Sequence, residues 1–271
     1  MTKPEIKTVE TGSCSMRYFQ FGTGPKPMVS LPGLSVQSVM NAADAVANAY
    51  RSMAQDFTVT VFDRRAELPA VYAVSDMARD TAAAMSALGL GGAYLFGASQ
   101  GGMIALLIAL DHPELVRKLA LGSTAARVAA DRSGALSRWV GLAEQKDAVG
   151  LYLDFGEKLY PPGLFQMYRP ALIETAQTVT DAELERFVTL SGGTAGFDVT
   201  DRLNEIACPV LVLGAADDAV LGEDAFRELV DGRTKEPLFE AYLYEGFGHA
   251  AFDTAPDYKK RLTQFFLQSN K

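Results

Sequence analysis

Apolar and polar positions alternate along most of this chain in two periods. Short apolar runs with β-branched residues mark strands, and stretches with apolar residues three and four apart mark helices. Ser15 to Phe21, Met28 to Leu31 and "FTVTVFD" (Phe57 to Asp63) read as strands, the last a buried one. Ser75 to Leu88 puts Met77, Ala78, Thr81, Met85 and Leu88 on one helical face, with Ser75 as N-cap and Gly89 as the stop. Ala93 to Phe96 is a strand, Ser99 to Asp111 a helix, and "VRKLALG" another strand. After a long interval come "PVLVLG", a helix near Glu223 to Val230, the strand "FEAYLYEG" and a last helix from Asp257 to Leu267. Short apolar strands separated by helices predict an α/β fold, with a mostly parallel sheet flanked by helices on both faces.

The alternation stops between about Ala125 and Arg202. There the patterns are helical and rich in aromatics: Trp139, Tyr152, Phe155, Tyr160, Phe165, Tyr168, Phe187 and Phe197. "YPPG" and "SGGTAG" punctuate the stretch. Residues 125–202 therefore read as a helical cap inserted into a core made of 1–124 and 203–271. Aromatics at helical spacing are usually core, yet an insertion at this point can also form an apolar lid.

Composition narrows the classes. With 271 residues, 48% of them hydrophobic, the chain can bury a large core without disulfides. A formal net charge of −8 argues against a nucleic-acid partner, because an acidic surface repels phosphate. Cys14 and Cys208 are the only cysteines and His112 and His249 the only histidines, so neither a disulfide framework nor a histidine-rich metal site is expected. "MTKPEIKTVE" has no apolar signal core, and the longest apolar run, Met103 to Leu110, is too short to span a bilayer. A cytoplasmic protein without membrane spans is the expectation; the oligomeric state is open.

The chemistry enters at "YLFGASQGG" (Tyr94 to Gly102), where a strand runs straight into a helix with Ser99 on the corner. Such a corner lifts the hydroxyl clear of the sheet and aims the first helical N–H groups toward it. Strand and helix backbones then pass so close that only small residues fit, which accounts for Gly97 and Gly101. A bare GxSxG is weak; one set between strand and helix is much stronger.

With that context the sequence resembles the α/β-hydrolase superfamily. The likeness is carried in order by "SLPGLS" (30–35), "GASQGG" (97–102), "DHPELVRKLALGST" (111–124), "PVLVLGAADDAV" (209–220) and "EGFGHAAF" (245–252). The resemblance implies Ser99 as nucleophile and His249 as its base, on a glycine-rich turn. It places the acid three residues after Gly214, at Asp217, with Asp218 the neighbour that could be mistaken for it. His112, ahead of Pro113, suits a helix C-terminus and not catalysis. Backbone N–H groups of Leu34 and Gln100 would form the oxyanion hole, each donor worth about 3 kcal/mol.

Two positions depart from the family pattern. Pro32-Gly33-Leu34 stands where many members have His-Gly-x, and "AELPAVYAVSD" follows "VFDRR" where many have Gly-x-Gly-x-Ser. Asp63 reads as structural. A serine at the corner excludes the aspartate-based haloalkane dehalogenases and epoxide hydrolases of this fold. The leading expectation is an esterase acting through an acyl-enzyme on a small-molecule substrate with an apolar acyl or alcohol part, needing no cofactor and no metal. Thioesterase, lactonase, carbon–carbon hydrolase and perhydrolase chemistry stay open, as does a ligand-binding protein that keeps the scaffold. A nucleotide-binding doubly wound fold is disfavoured, since Gly97-x-Ser99-x-Gly101 lacks a dinucleotide spacing and no P-loop lysine lies nearby.

Overall fold

A computed structural model describes residues 3–128, 134–232 and 239–269. Eight strands form one sheet: β1 Ile6–Glu10, β2 Ser15–Phe21, β3 Lys26–Leu31, β4 Phe57–Arg65, β5 Ala93–Ala98, β6 Val116–Gly122, β7 Val210–Ala215 and β8 Phe239–Tyr244. Their order is β1-β2-β4-β3-β5-β6-β7-β8. The β1–β2 and β2–β4 pairs are antiparallel, and all others are parallel.

Why these segments become inner strands follows from their composition. Every residue of β5 (AYLFGA) and β7 (VLVLGA) is buried, so neither face needs polar positions. Their side chains divide by pleat. Ala93 and Leu95 of β5 and Val210 and Val212 of β7 enter one core. Tyr94 and Phe96, with Leu211 and Leu213, enter the other. The first core takes helices α2 (Val74–Ala87), α3 (Gln100–Asp111) and α8 (Glu223–Asp231) through Met77, Ile104 and Leu229. The second takes α1 (Ala43–Ala49) and α10 (Tyr258–Leu267) through Ala47, Leu262 and Phe266.

Three local readings change. β1 was not legible as a strand, because only Val9 of its five residues is buried. Helix α2 begins one residue before the predicted Ser75 cap. Its N-cap is Ala73, whose amide donates to the Asp76 carboxylate at 3.2 Å. A carboxylate in the first turn also suits the positive end of the helix dipole. And β4 runs to Arg65, two residues past the predicted end at Asp63, which matters below.

Between β6 and β7 the described residues include four α-helices: α4 Gly134–Glu144, α5 Ala148–Leu159, α6 Pro162–Ala176 and α7 Asp181–Gly192. Amides of Val199 and Val128 donate to Ala126 O (2.8 Å) and Phe197 O (2.9 Å), closing the two ends of this helical cap onto each other. Residues 129–133, inside the predicted span 125–202, lie outside the described residues, as do 1–2, 233–238 and 270–271 of the predicted core. Among the described residues no helix is long and apolar enough to cross a membrane.

Candidate active site

Ser99 sits at the end of β5 with φ +51° and ψ −123°, a conformation that costs a non-glycine residue on the order of 1–3 kcal/mol. Neighbouring backbone holds it there. The Ser99 amide donates to Gly122 O on β6 at 2.8 Å, and its carbonyl accepts from the Thr124 hydroxyl at 2.7 Å and the Gly102 amide at 2.8 Å. A Cβ on Gly101 would run into the Leu31 carbonyl, and one on Gly97 into the Gly101 carbonyl. The two glycines are thus the tolerances that let strand and helix meet at this corner.

The serine faces a cavity of about 490 Å³. Its floor is made by strand-end segments: Pro32, Gly33 and Leu34 after β3, Ser99 and Gln100 at the corner, Val220 and Leu221 after β7, and His249 after β8. Its roof comes from the cap, through Trp139, Tyr152, Phe155, Leu159, Tyr160 and Leu172. Of the eight cap aromatics, four line this space. Phe187 and Phe197 are buried in the core instead, and Tyr168 is 38% exposed.

His249 is buried, and its Nδ1 lies 2.8 Å from Asp218 Oδ2. The sequence expectation of Asp217 as the histidine's partner is therefore corrected by the geometry. Asp217 is exposed, and its Oδ2 accepts from the Gly248 amide at 3.1 Å. The reason is register. β7 pairs with β8 through Ala215↔Tyr244, so Gly214 lies inside the strand and the turn starts one residue later than the count assumed. Asp218 Oδ1 accepts from the amides of Val220 (2.8 Å) and Leu221 (2.9 Å). Burial alone would push this carboxyl up, but His249 and the hydrogen bonds outweigh it and hold its pKa below the usual value. An ionised Asp218 requires the proton on Nδ1, which leaves Nε2 with its lone pair. No hydrogen bond joins Ser99 Oγ to His249 in this state, though both line the one cavity; such contacts tighten when substrate arrives.

Leu34, on the loop after β3, lines the cavity opposite the amide of Gln100, the first residue of α3. Neither amide has a protein acceptor among the described residues. Behind them lies a polar cluster that sequence reasoning did not find. The buried Arg64, the penultimate residue of β4, donates from Nη2 to Pro32 O at 2.8 Å and to Gln100 Oε1 at 3.2 Å. Gln100 Nε2 in turn donates to Leu190 O of α7 at 2.7 Å. Asp63 accepts from the Arg64 amide (2.7 Å) and the Ser38 hydroxyl and pairs with Arg17 and Arg186. One guanidinium thus spans the loop after β3 and the serine corner. Burial lowers its pKa to about 10, opposed by Asp63, so it stays charged at neutral pH. The signal for it was "DRR" at a strand that ends at residue 65, not 63.

In the segment after β4, Tyr72 is buried and donates to Asp80 Oδ2 at 2.8 Å, and Arg65 pairs with the same carboxylate at 3.3 Å. His112 lies at the C-terminus of α3, partly exposed and 3.6 Å from Glu114. No group of three or more His, Cys, Asp and Glu side chains among the described residues is placed to hold a metal.

A family model for the alpha/beta hydrolase fold matches residues 26–256. A protein of Agrobacterium fabrum named putative carbamate hydrolase RutD is 27% identical over 233 residues, covering 81% of this chain and 87% of that one. The protein of the same name from Serratia proteamaculans is 34% identical over 225 residues, covering 75% and 79%. Among solved structures, MGS-M2, an alpha/beta hydrolase enzyme from a Medee basin deep-sea metagenome library, superposes with a TM-score of 0.85 at 18% identity over 98% of both chains. The enol-lactonase of Burkholderia xenovorans does so at 0.82 and 15% identity, over 97% of this chain and all of that one. The structural likenesses speak to fold. Taken with the family model and the relatives, they establish that this chain belongs to the α/β-hydrolase family.

Proposed function

We propose that this chain is a serine hydrolase that cleaves small to medium carboxylic esters through an acyl-enzyme. The observation that carries the reading is a strained Ser99 facing a mostly apolar cavity together with His249, whose far nitrogen is held by a buried, ionised Asp218.

A serine hydroxyl is a weak nucleophile until a base takes its proton. His249 Nε2 accepts the Ser99 proton as Oγ bonds to the acyl carbon, and Asp218 stabilises the imidazolium that forms. The carbonyl oxygen becomes an oxyanion between the amides of Leu34 and Gln100. As the tetrahedral centre collapses, the ester C–O bond breaks and the alcohol leaves with the proton from His249. A water then gives its proton to His249 and attacks the acyl carbon, and His249 returns that proton to Ser99 Oγ as the Ser99 ester bond breaks to release the acid. The apolar roof favours an apolar acyl or alcohol part.

A second reading keeps the same site and changes the bond. The relatives named putative carbamate hydrolase point to a carbamate carbonyl, which the same steps would open. Turnover of a panel of p-nitrophenyl esters of increasing chain length, beside a p-nitrophenyl carbamate, separates the two. The ester reading predicts turnover that rises with chain length before the cavity is filled and is abolished in Ser99→Ala. A fluorophosphonate that fails to label Ser99, with stoichiometric ligand binding and no turnover, would instead make the chain a binding protein on a hydrolase scaffold.

A further inference from the structure

Among the described residues lining the cavity Asp253 is the only carboxyl, and none is a lysine or arginine. It lies on the short helix α9 (Ala251–Thr254), four residues after His249. It is exposed to solvent. The other exposed residues of the lining are Ser35, Asn41 and Ala42, so Asp253 marks the side of the cavity that meets solvent.

Other carboxylates near the site are spent on the protein itself: Asp218 on His249, Asp217 on the Gly248 amide, and Asp63 on Arg17 and Arg186. Asp253 is different. Its side-chain oxygens form no hydrogen bond or ion pair among the described residues. Lys259 comes near but donates its Nζ to the backbone carbonyls of Phe252 and Asp253, which leaves the carboxylate unpaired. Tyr160, on the cap side of the same cavity, and Tyr50 and Tyr258, in the core behind it, are its remaining titratable neighbours, and none carries positive charge. A carboxylate at the mouth of an apolar space, with no protein partner, is free to pair with a cationic group of a ligand.

We propose that Asp253 is a specificity site that pairs with an alkylammonium group at the end of the substrate remote from the scissile carbonyl. The proposal rests on the acyl-transfer reading of Ser99 for its orientation, since it places the cation at the solvent side and the reacting carbon at the serine. Three observations converge on it. The cavity lining is mostly apolar and suits a methylene chain. A chain with net charge −8 draws cations and repels carboxylates. And the Asp253 carboxyl has no hydrogen bond or ion pair among the described residues to give up when a cation arrives.

The test compares p-nitrophenyl 6-aminohexanoate with its neutral near-isostere p-nitrophenyl heptanoate in wild type and in Asp253→Asn. The ratio of kcat/KM values, amino ester over heptanoate, is expected to fall about two- to fivefold in the variant. Asp253→Glu, which keeps the charge, should restore much of that ratio. A ratio unchanged by Asp253→Asn overturns the proposal. Calorimetric binding of hexylammonium chloride to Ser99→Ala and to Ser99→Ala/Asp253→Asn separates the two readings. If neither ester turns over, the acyl-transfer reading fails, while binding to the first protein and not the second still upholds the ammonium site. Equal binding, or none, to both removes it.

Discussion

The strand ends and the cap helices share one cavity, but different forces hold their parts in place. At the strand ends each proposed functional group is fixed by several directed bonds: Ser99 through its own amide and carbonyl, Asp218 through two amides and an imidazole, the loop after β3 through Arg64. The cap holds its cavity-facing side chains mainly by apolar contact. The exceptions are Trp139, whose Nε1 donates to Asp154 Oδ2 at 2.9 Å, and helix α7. Arg186 reaches Asp63 and the Arg65 carbonyl, Leu190 O receives Gln100, and Phe187 is fully buried. Helix α6, by contrast, packs on α5, contains Pro170, and leaves Met167 69% exposed. Directed bonds specify positions to fractions of an ångström, as proton transfer requires; apolar contact specifies volume, as a substrate pocket requires.

The comparison can be broken at its strong end first. Asp218→Asn is expected to lower kcat by about 10³–10⁴, while the neighbouring Asp217→Asn lowers it less than about tenfold, because only the former leaves His249 with the wrong tautomer. Equal losses would show that register at the end of β7 does not choose the acid. Arg64→Met should reduce kcat/KM by about 10–100-fold for every ester alike, through the loop after β3 and the Gln100 amide it steadies. A cap substitution of that size and uniformity would erase the distinction between the two regions. Leu172→Ala on α6, at the cavity wall, should instead act selectively, costing about 1 kcal/mol for long acyl chains and little for acetate. Met167→Ser on the outer face of α6 should change neither activity nor stability beyond about 0.5 kcal/mol in denaturant titrations.

A pH series sharpens the same point in stability. The pKa of Asp218 is held below its ordinary value near 3.8, so its contribution to folding is present above that value and is lost as pH falls through the lower, folded pKa. The stability gap between wild type and Asp218→Asn should therefore be about 1–2 kcal/mol at pH 7 and shrink below about pH 4. Urea midpoints at pH 7, 5 and 3 would check it, and a gap that widens toward acid would contradict the assignment.

What was legible in the sequence divides along the same line. Strands such as β5 and β7 announce themselves because both faces are apolar, and the serine corner because its glycines have no freedom to be anything larger. β1 does not, since one buried valine in five residues makes no pattern. The acid was misplaced by one residue because neighbouring aspartates differ only in which way the chain turns after β7, and strand length is a tertiary outcome of pairing with β8. Arg64 was passed over for a related reason. A guanidinium among charged neighbours looks like surface until β4 proves to be two residues longer and carries it inside. The cap aromatics were sorted between wall and core only by the three-dimensional arrangement of α4 to α7.

The left-handed backbone at residue 99 has a consequence for how this chain can change over time. Its corner is a standing debt that only turnover justifies, so Ser99→Gly is expected to melt at a higher temperature than the wild type while hydrolysing nothing. On the proposed reading, a descendant relieved of the reaction would have every thermodynamic reason to relax there first.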